Sequence, residues 1–235
     1  DVDYVNLNRD DLSKYKLIIA PTLHIITPEI TDKLEAFVNK GGSLVLTFRS
    51  GVKNVDNVCH ELMLPGYLRN MAGIRIEEYE GLNEGTRYQV IVADKLGWGE
   101  FSCSVLADWI IPEKAHAIAN YKENGLEDYA AATVNEFGKG RVYYIGTWFQ
   151  EEEFYKRLMD HILKSIELEP LVIPSDNVEV STRYNGDIPY IFILNHNEAE
   201  VEVEVPKGTE LLSKQEVEGL FRIPAGEVAI IKALK

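Results

Sequence analysis

The chain has 235 residues, of which 46% are hydrophobic and 26% charged, so it is long enough for one large domain or two ordinary ones with a full apolar core. Its 38 acidic and 24 basic residues give a formal net charge of −14, which repels phosphate backbones and argues against nucleic acid as a partner. No apolar run approaches the about 20 residues that cross a bilayer, so the sequence predicts no membrane partner.

The cysteine content and the start of the chain bear on its location. Cys59 and Cys103 cannot form a disulfide framework and lie in no Cys-x-x-Cys pair, so a reducing compartment, the cytoplasm, is predicted, with one isolated disulfide left open. Residues 1–7 show neither a basic head nor an apolar stretch, and give only an imperfect strand pattern. Since no initiating methionine is present, we expect the chain to be part of a longer protein.

The first elements predict one strand, helix, strand unit. Residues 17–19 and 44–46 are short continuous apolar runs, typical of strands covered on both faces. Thr27 as N-cap and Pro28 at the first helical position begin a helix that Gly41 ends. A right-handed parallel crossover is the usual connection, so the fold class predicted is α/β, a mostly parallel sheet with flanking helices.

The middle of the chain is predicted to be rich in strands. Residues 51–63 are expected to form a loop, and residues 65–73 a short helix that ends at Gly73. The predicted strands are 74–79, 87–94, 100–106, 115–121, 129–137 and 141–147, the last two being a hairpin that turns at Gly138-Lys-Gly140 rather than a phosphate loop. Residues 151–168 form the second long helix.

The hydrophobic period changes to two after residue 178. Prolines at 170 and 174 stop the second helix, so a linker is predicted there and the domains are placed at 1–169 and 170–235. The later apolar runs alternate with polar residues and are separated by turn residues. This pattern predicts a small antiparallel β-sandwich.

Several segments carry a family resemblance. Five of them resemble the middle, trimerisation domain of family 42 β-galactosidases: Tyr15–Pro21, Gly42–Gly51, Pro65–Arg69, Gly73–Glu78 and Phe137–Gly146. Three more resemble the family's small C-terminal β-domain: Val178–Tyr184, Phe192–His196 and Ile223–Ile231. The resemblance covers nearly the whole chain and implies, for the first domain, a fold like that of class I glutamine amidotransferases.

The resemblance implies that the chain is the non-catalytic region of a longer enzyme. A catalytic (β/α)8 barrel should precede Asp1, and the two glutamates of a retaining β-galactosidase, which hydrolyses terminal β-D-galactosides, lie in that barrel. No catalytic, cofactor-binding or metal-binding residue is therefore expected here. The implied partners are the chain's own upstream barrel and two further subunits of a homotrimer. Because the family's middle domain packs on a neighbouring subunit and helps to wall the active-site funnel, the candidate interface residues are Trp98, Trp109, Cys59 and His60.

Two other functions stay open on the residues alone. An amidotransferase-like enzyme would use Cys59 as nucleophile, although its surroundings lack the strand and the glycines of a nucleophile elbow. A carbohydrate-binding module would use exposed aromatic side chains, with Trp98, Trp109, Trp148, Tyr184 and Tyr190 as candidates. The five histidines show no metal spacing, and His24, which follows a strand end where α/β proteins bind ligands, is expected to be a loop histidine. Acidic runs such as Glu200, Glu202 and Glu204 alternate with valines and are predicted to be the solvated face of a strand.

Overall fold

The structure is a computed structural model that describes residues 2–168 and 171–234. The chain divides into two compact units, the first covering residues 5–167 and the second running from residue 168 onward and taking in residues 2–4. The predicted domain boundary, between residues 169 and 170, lies outside the described residues. Residues 2–6 form no strand, in contrast to their imperfect strand pattern.

The first unit contains three helices and nine strands. The helices are α1 (Pro28–Asn39), α2 (Arg69–Ala72) and α3 (Glu152–Ser165), with short 3-10 turns at Gly66–Leu68 and Asp94–Leu96. The strands are β1 (Leu17–Ala20), β2 (Ser43–Thr47), β3 (Ile74–Gly81), β4 (Tyr88–Val92), β5 (Glu100–Pro112), β6 (His116–Tyr121), β7 (Ala130–Phe137), β8 (Gly140–Ile145) and β9 (Thr147–Phe149).

The first helix forms where its sequence signals predicted it. The Thr27 hydroxyl accepts a hydrogen bond of 3.3 Å from the Ile30 N–H, and Pro28 occupies the first turn. The helix buries one apolar stripe and ends before Gly41, whose φ of 113° suits glycine. A Cβ on Gly42 would lie 2.3 Å from the Phe37 ring, so only glycine permits this approach of chain and helix.

The sheet is mixed, and the prediction of a mostly parallel sheet is wrong. Its strand order is β1-β2-β8-β7-β6-β4-β5-β3, with β9 paired to β5. Only the β1–β2 and β2–β8 pairs are parallel, and every other pair is antiparallel. The physical reason is the connections: α1 crosses over between β1 and β2, whereas a tight turn joins β7 to β8 and forces them to run in opposite directions.

Helices cover both faces of this sheet. Leu44 and Leu46 of β2 pack in the apolar cluster that includes Leu34 of α1, whereas Val45 packs in the cluster that includes Phe154 of α3. The alternation places successive side chains of one strand in two cores, because they point to opposite faces. The prediction that the apolar run of β2 is a strand buried on both faces is confirmed.

Two differences from the predicted strand bounds affect the middle of the sheet. Strand β5 continues to Pro112, and the predicted strand 141–147 is divided into β8 and β9 at Gly146. A Cβ on Gly146 would lie 2.5 Å from the Ile110 side chain, so the chain crosses β5 closely at a glycine. Because of this division, Trp148 lies on the separate short strand β9.

The second unit is an antiparallel five-stranded sheet. Its strands are β10 (Val178–Asn185), β11 (Ile188–Asn195), β12 (Val201–Glu210), β13 (Gln215–Ile223) and β14 (Val228–Ala233), in the order β10-β11-β14-β12-β13. The antiparallel prediction is confirmed, but hydrogen bonds join all five strands in one sheet rather than in the two stacked sheets of a sandwich. The reason is β12, which pairs with both β13 and β14 and carries a bulge between Val205 and Gly208.

Candidate functional site

The parallel strands of the first unit end at a common edge, where ligands and partners of α/β sheets usually bind. The chain leaves β1 at Thr22, whose N–H donates a hydrogen bond of 2.7 Å to the Thr47 hydroxyl at the end of β2. It leaves β2 at Phe48, whose N–H donates to the carbonyl of Ile145 at the end of β8. These bonds connect the three strand ends. We call the surface formed here by Thr22, Arg49, Tyr79, Val105 and Trp148 the strand-end face.

Three residues of the strand-end face have a strained backbone. Thr22, Arg49 and Val105 have φ values of 48°, 64° and 70°, in the left-handed region that favours glycine. Such a conformation costs on the order of 1–3 kcal/mol per residue and is most unusual for a β-branched side chain. Strain of this kind collects at functional sites, so its position indicates a site at this edge.

Arg49 and Tyr79 form one exposed unit on this face. The guanidinium carbon of Arg49 lies 4.3 Å from the centroid of the Tyr79 ring, which is the geometry of a cation–π contact. The Tyr79 side chain is 40% exposed. Below them, the Nδ1 atom of His24 lies 3.1 Å from the Arg49 carbonyl oxygen, so this ring nitrogen donates to it when protonated. His24, predicted to be a loop histidine, thus supports the Arg49 backbone.

A buried carboxylate lies under the Arg49 loop. Asp108 of β5, opposite Tyr79 in the sheet, is 2% exposed, and its carboxylate accepts a hydrogen bond of 2.7 Å from the Tyr144 hydroxyl. Burial raises the pKa of Asp108 to about 7, against the opposing effects of the Tyr144 hydroxyl, the Arg49 backbone and the Arg49 charge. Asp108 therefore ties the loop after β2 to the middle of the sheet.

Trp148 is presented by a rigid strand. The side chain is 50% exposed, whereas its neighbours Thr147 and Phe149 are buried. The Phe149 ring stacks on Phe154 of α3, with 3.5 Å between centroids and 11° between planes. The Thr147 hydroxyl donates a hydrogen bond of 2.6 Å to the Leu106 carbonyl. Strand β9 is thereby fixed on both sides, and the half-exposed indole of Trp148 lies beside the Tyr155 ring of α3, with 6.3 Å between centroids.

Val105 adds a second exposed apolar side chain next to Trp148. It lies in the irregular stretch of β5 between Ser104 and Ala107, and Ser104 is the cross-strand partner of Trp148. Its carbonyl accepts a hydrogen bond of 3.0 Å from the Leu82 N–H, and its side chain is 57% exposed. The bulge turns this valine out of the sheet.

Trp98 and Trp109, two of the predicted interface residues, are half-buried against the core of their own unit. The Trp98 ring lies edge-on to Phe154 at 6.1 Å and to His161 at 6.0 Å between centroids. Trp109 packs beside Tyr129 at 5.3 Å, and its indole Nε1 is buried without a hydrogen-bond partner. Of the three tryptophans, Trp148 is therefore the one with a largely exposed ring. Trp148 is among the aromatic candidates that the sequence predicted, but no signal in the sequence distinguishes it from the other two tryptophans.

Cys59 and His60, the other two predicted interface residues, lie in the loop after β2. Bridges join Lys53 to Ile25 and to Cys59, so the loop is a small irregular hairpin and Cys59 is exposed on it. The His60 ring packs edge-on against Tyr67 at 5.0 Å, and its Nε2 is buried without a partner. We call the exposed apolar side chains of this region the loop surface: Val55, Val58, Leu62, Met63 and Tyr67.

The surroundings of Cys59 do not form a nucleophile elbow. Such an elbow places the nucleophile on a sharp turn between a strand and a helix. Cys59 instead follows the tip of the irregular hairpin, and the residues directly after it also form a loop, as the sequence predicted. Cys103 is buried in β5, where burial raises the pKa of its thiol to about 11. Both cysteines are free thiols.

The acidic side chains have identifiable structural roles. Glu200, Glu202 and Glu204 are exposed as predicted, and Glu202 pairs with Arg222 at 2.9 Å. Glu210 is buried, but it accepts hydrogen bonds from the backbone N–H groups of Leu212 and Ser213 in a turn and of Ile230 in β14. Within residues 2–168 and 171–234, no group of three or more histidines, cysteines or carboxylates is placed to hold a metal ion. In the same part of the chain, no helix is long and apolar enough to cross a membrane.

Comparison with known proteins identifies the class to which these units belong. Residues 1–169 match the profile described as the β-galactosidase trimerisation domain, and residues 177–233 match that of the β-galactosidase C-terminal domain. The chain belongs to the family 42 β-galactosidases. The resemblance found in the sequence is thereby confirmed.

Individual relatives agree with this assignment. β-Galactosidase BgaP of Planococcus sp. (strain L4) is 32% identical over 98% of this chain and 34% of its own length. β-Galactosidase bgaB of Geobacillus kaustophilus is 34% identical over 88% of this chain and 30% of its own length. The chain thus spans about a third of the length of the curated relatives it matches.

Solved structures support the fold. The β-galactosidase from Bacillus circulans sp. alkalophilus superposes with a TM-score of 0.90 at 32% identity, over 96% of this chain and 34% of that one. The cold-adapted β-galactosidase from Rahnella sp. R3 superposes with a TM-score of 0.88 at 28% identity, over 98% of this chain and 34% of that one. The mixed sheet with flanking helices and the separate antiparallel sheet therefore match domains of this family.

Proposed function

We propose that this chain is the assembly region of a retaining β-galactosidase that hydrolyses terminal β-D-galactosides in a (β/α)8 barrel outside these residues. The observation that carries the proposal is the pair of family matches, which assign nearly the whole chain to a trimerisation domain and a C-terminal domain. The relatives named β-galactosidases are about three times as long as this chain, which leaves room for a catalytic domain.

The distribution of carboxylates supports a structural role. A retaining glycosidase needs two carboxyl groups about 5 Å apart, one of them with a raised pKa. Asp108 has a raised pKa, but the groups that face it are the Tyr144 hydroxyl and Arg49. The second carboxylate of a catalytic pair is not among them. We therefore assign the chain no part in bond cleavage.

The partners we propose are the enzyme's own barrel and two further copies of the subunit, in a homotrimer. The trimerisation profile over the first unit supports this assembly. The parallel β1–α1–β2 crossover also suits the fold of class I glutamine amidotransferases, which we propose as the wider relationship of the first unit. A cytoplasmic location is consistent with the exposed free thiol of Cys59.

Part of the proposed interface is the loop surface. Its side chains are apolar and exposed, and the predicted interface residues Cys59 and His60 lie within the same segment. Isolated exposed apolar side chains are ordinary, but a group of them in one loop indicates a contact surface. Trp98 and Trp109 are half-buried, so we propose that they contribute to an interface through their exposed edges.

The proposal is tested by comparing this chain with the full-length enzyme that contains it. Sedimentation velocity and hydrolysis of a chromogenic β-galactoside are measured for both. We expect the full-length enzyme to be an active trimer and the 235-residue chain to be inactive. Turnover by the isolated chain that disappears when one of its own carboxylates is replaced would contradict the proposal.

A further inference from the structure

We infer that the strand-end face is the energetic centre of the subunit interface, with Trp148, Tyr79 and Arg49 as its anchors and a neighbouring copy of the same enzyme as its occupant. This inference rests on the proposed function, because it assumes that the first unit assembles subunits. The family match gives a trimerisation domain but does not say which of its surfaces contacts the next subunit.

The residue types on this face are those that dominate binding energy in protein interfaces. Tryptophan, tyrosine and arginine are the side chains most enriched among interface hot spots. One of each is exposed or partly exposed here, and Arg49 already stacks on Tyr79 at 4.3 Å. The backbone pairing of β3 and β9 with β5 places Tyr79 and Trp148 on the two strands that flank β5, since Tyr79 lies opposite Asp108 and Trp148 lies opposite Ser104.

Two of the anchors, Trp148 and Arg49, are held in place before any partner binds. Trp148 lies between two buried residues of β9, and the Phe149 stack on Phe154 fixes that strand. The Arg49 loop is fixed by Asp108 and by the Ser50 hydroxyl, which donates a hydrogen bond of 2.7 Å to the Thr47 carbonyl. Binding by a preorganised surface loses less conformational entropy, which leaves more of the contact energy for affinity.

The left-handed backbone at two positions of this face indicates that their side chains have a function. Val105 and Arg49 hold left-handed backbone conformations although neither is glycine. Glycine would remove this strain, but it would also remove a side chain from the face. The retention of a valine and an arginine at such positions is explained if their side chains contact a partner.

The family of the first unit and the length of its relatives favour a second copy as that partner. The trimerisation profile covers the unit that carries the face, and two thirds of a typical relative lies outside this chain, so a neighbouring subunit has surface to cover it. The loop surface continues from the same edge, because the Gly51 N–H bonds to the Leu23 carbonyl and the Val52 N–H bonds to the His24 carbonyl. The strand-end face also carries the cation of Arg49, which can pair with one of the 38 acidic side chains of a second copy.

The test uses the full-length enzyme that contains this chain. Trp148→Ala and the double variant Arg49→Ala/Tyr79→Ala are compared with wild type by sedimentation equilibrium over a range of concentrations. Tyr184→Ala is the matched control, because this tyrosine is 65% exposed but belongs to the second unit. We expect each strand-end variant to weaken trimer formation by at least about tenfold and the control to leave it unchanged. Circular dichroism checks that all the variants are folded.

The other outcomes separate the two proposals. A wild-type enzyme that forms no trimer overturns the proposed function itself. A wild-type trimer that Trp148→Ala and Arg49→Ala/Tyr79→Ala leave equally stable overturns this inference alone, as does a control variant that weakens assembly to the same degree. An intact trimer with a raised KM for galactosides and an unchanged kcat would assign the face to saccharide contact instead, and would also overturn it.

Discussion

The hydroxyl of Tyr144 donates a hydrogen bond of 2.7 Å to the carboxylate of Asp108, and both side chains are buried in the first unit. Burial raises the pKa of this carboxyl to about 7 from its ordinary 3.8. A group of this kind makes folding depend on pH, because the folded chain holds a proton that the unfolded chain releases.

The first prediction concerns the pH dependence of stability. Because the pKa of Asp108 is higher in the folded state, its contribution to the free energy of unfolding is fully present below about pH 4 and is lost as the pH rises to about 7. A difference of about three pKa units corresponds to a loss of about 4 kcal/mol across this window. Asp108→Asn has no charge to bury, so its stability should be flatter between pH 4 and 7 and higher than that of wild type at pH 8. Urea unfolding followed by circular dichroism at several pH values measures both effects.

The control for this experiment is an exposed carboxylate of the same unit. Glu78→Gln removes a charge from a side chain that is exposed on β3. Its unfolding profile should follow that of wild type across the same pH range. A profile for Asp108→Asn that also keeps the wild-type slope would show that Asp108 does not control this dependence.

The sequence predicted the elements whose signals are local. α1 was found from Thr27, Pro28 and its apolar stripe, because a cap, a first-turn proline and a helical period are all contained in the segment itself. The direction of pairing in the middle of the sheet could not be found in this way. It depends on which distant strands meet, and short apolar runs are compatible with parallel and antiparallel neighbours alike.

The strand-end face shows the same limit for the candidate site. The left-handed conformations of Arg49 and Val105 carry no sequence signal, because these positions lack the glycine or asparagine that usually marks them. The one available signal was the position of the segment Phe48–Ser50 directly after an apolar strand, where α/β proteins place binding residues. That rule was applied to His24, which supports the Arg49 backbone, and not to Arg49 itself.

The second prediction concerns Glu210 in the second unit. Burial acts to raise the pKa of this carboxyl, but the backbone N–H groups of Ser213, Ile230 and Leu212 outweigh it, and the pKa is lowered. Its stabilising contribution is therefore present above the ordinary carboxyl pKa and is lost as the pH falls through the lowered folded value. Glu210→Ala leaves these N–H groups without their acceptor and should cost about 2–4 kcal/mol at pH 7, whereas Glu210→Gln keeps an acceptor oxygen and should cost less. Equal losses for the two variants in urea unfolding would contradict this account.

The third prediction concerns the strain at Val105. Val105→Gly removes a β-branched side chain from a residue with φ of 70°, so the free energy of unfolding should rise by about 0.5–1 kcal/mol although an apolar side chain is lost. The matched control is Val58→Gly, since Val58 is equally exposed but has no left-handed backbone to relieve. That variant should be neutral or slightly less stable. Thermal unfolding by calorimetry compares the pair, and a destabilised Val105→Gly would show that the bulge is not strained.

The fourth prediction concerns the contact between α1 and the strand that follows it. A Cβ at Gly42 would lie 2.3 Å from the Phe37 ring, which is itself packed in the core, so Gly42→Ala should cost about 1–3 kcal/mol through displacement of that ring. Gly81→Ala is the control, because a Cβ there meets nothing within 4 Å and the residue needs no left-handed backbone. It should be neutral or stabilising by up to about 1 kcal/mol, through the reduced freedom of the unfolded chain. Urea unfolding of both variants decides the matter: if Gly42→Ala is as stable as Gly81→Ala, then the Phe37 ring moves freely and α1 is not locked to β2 at this point.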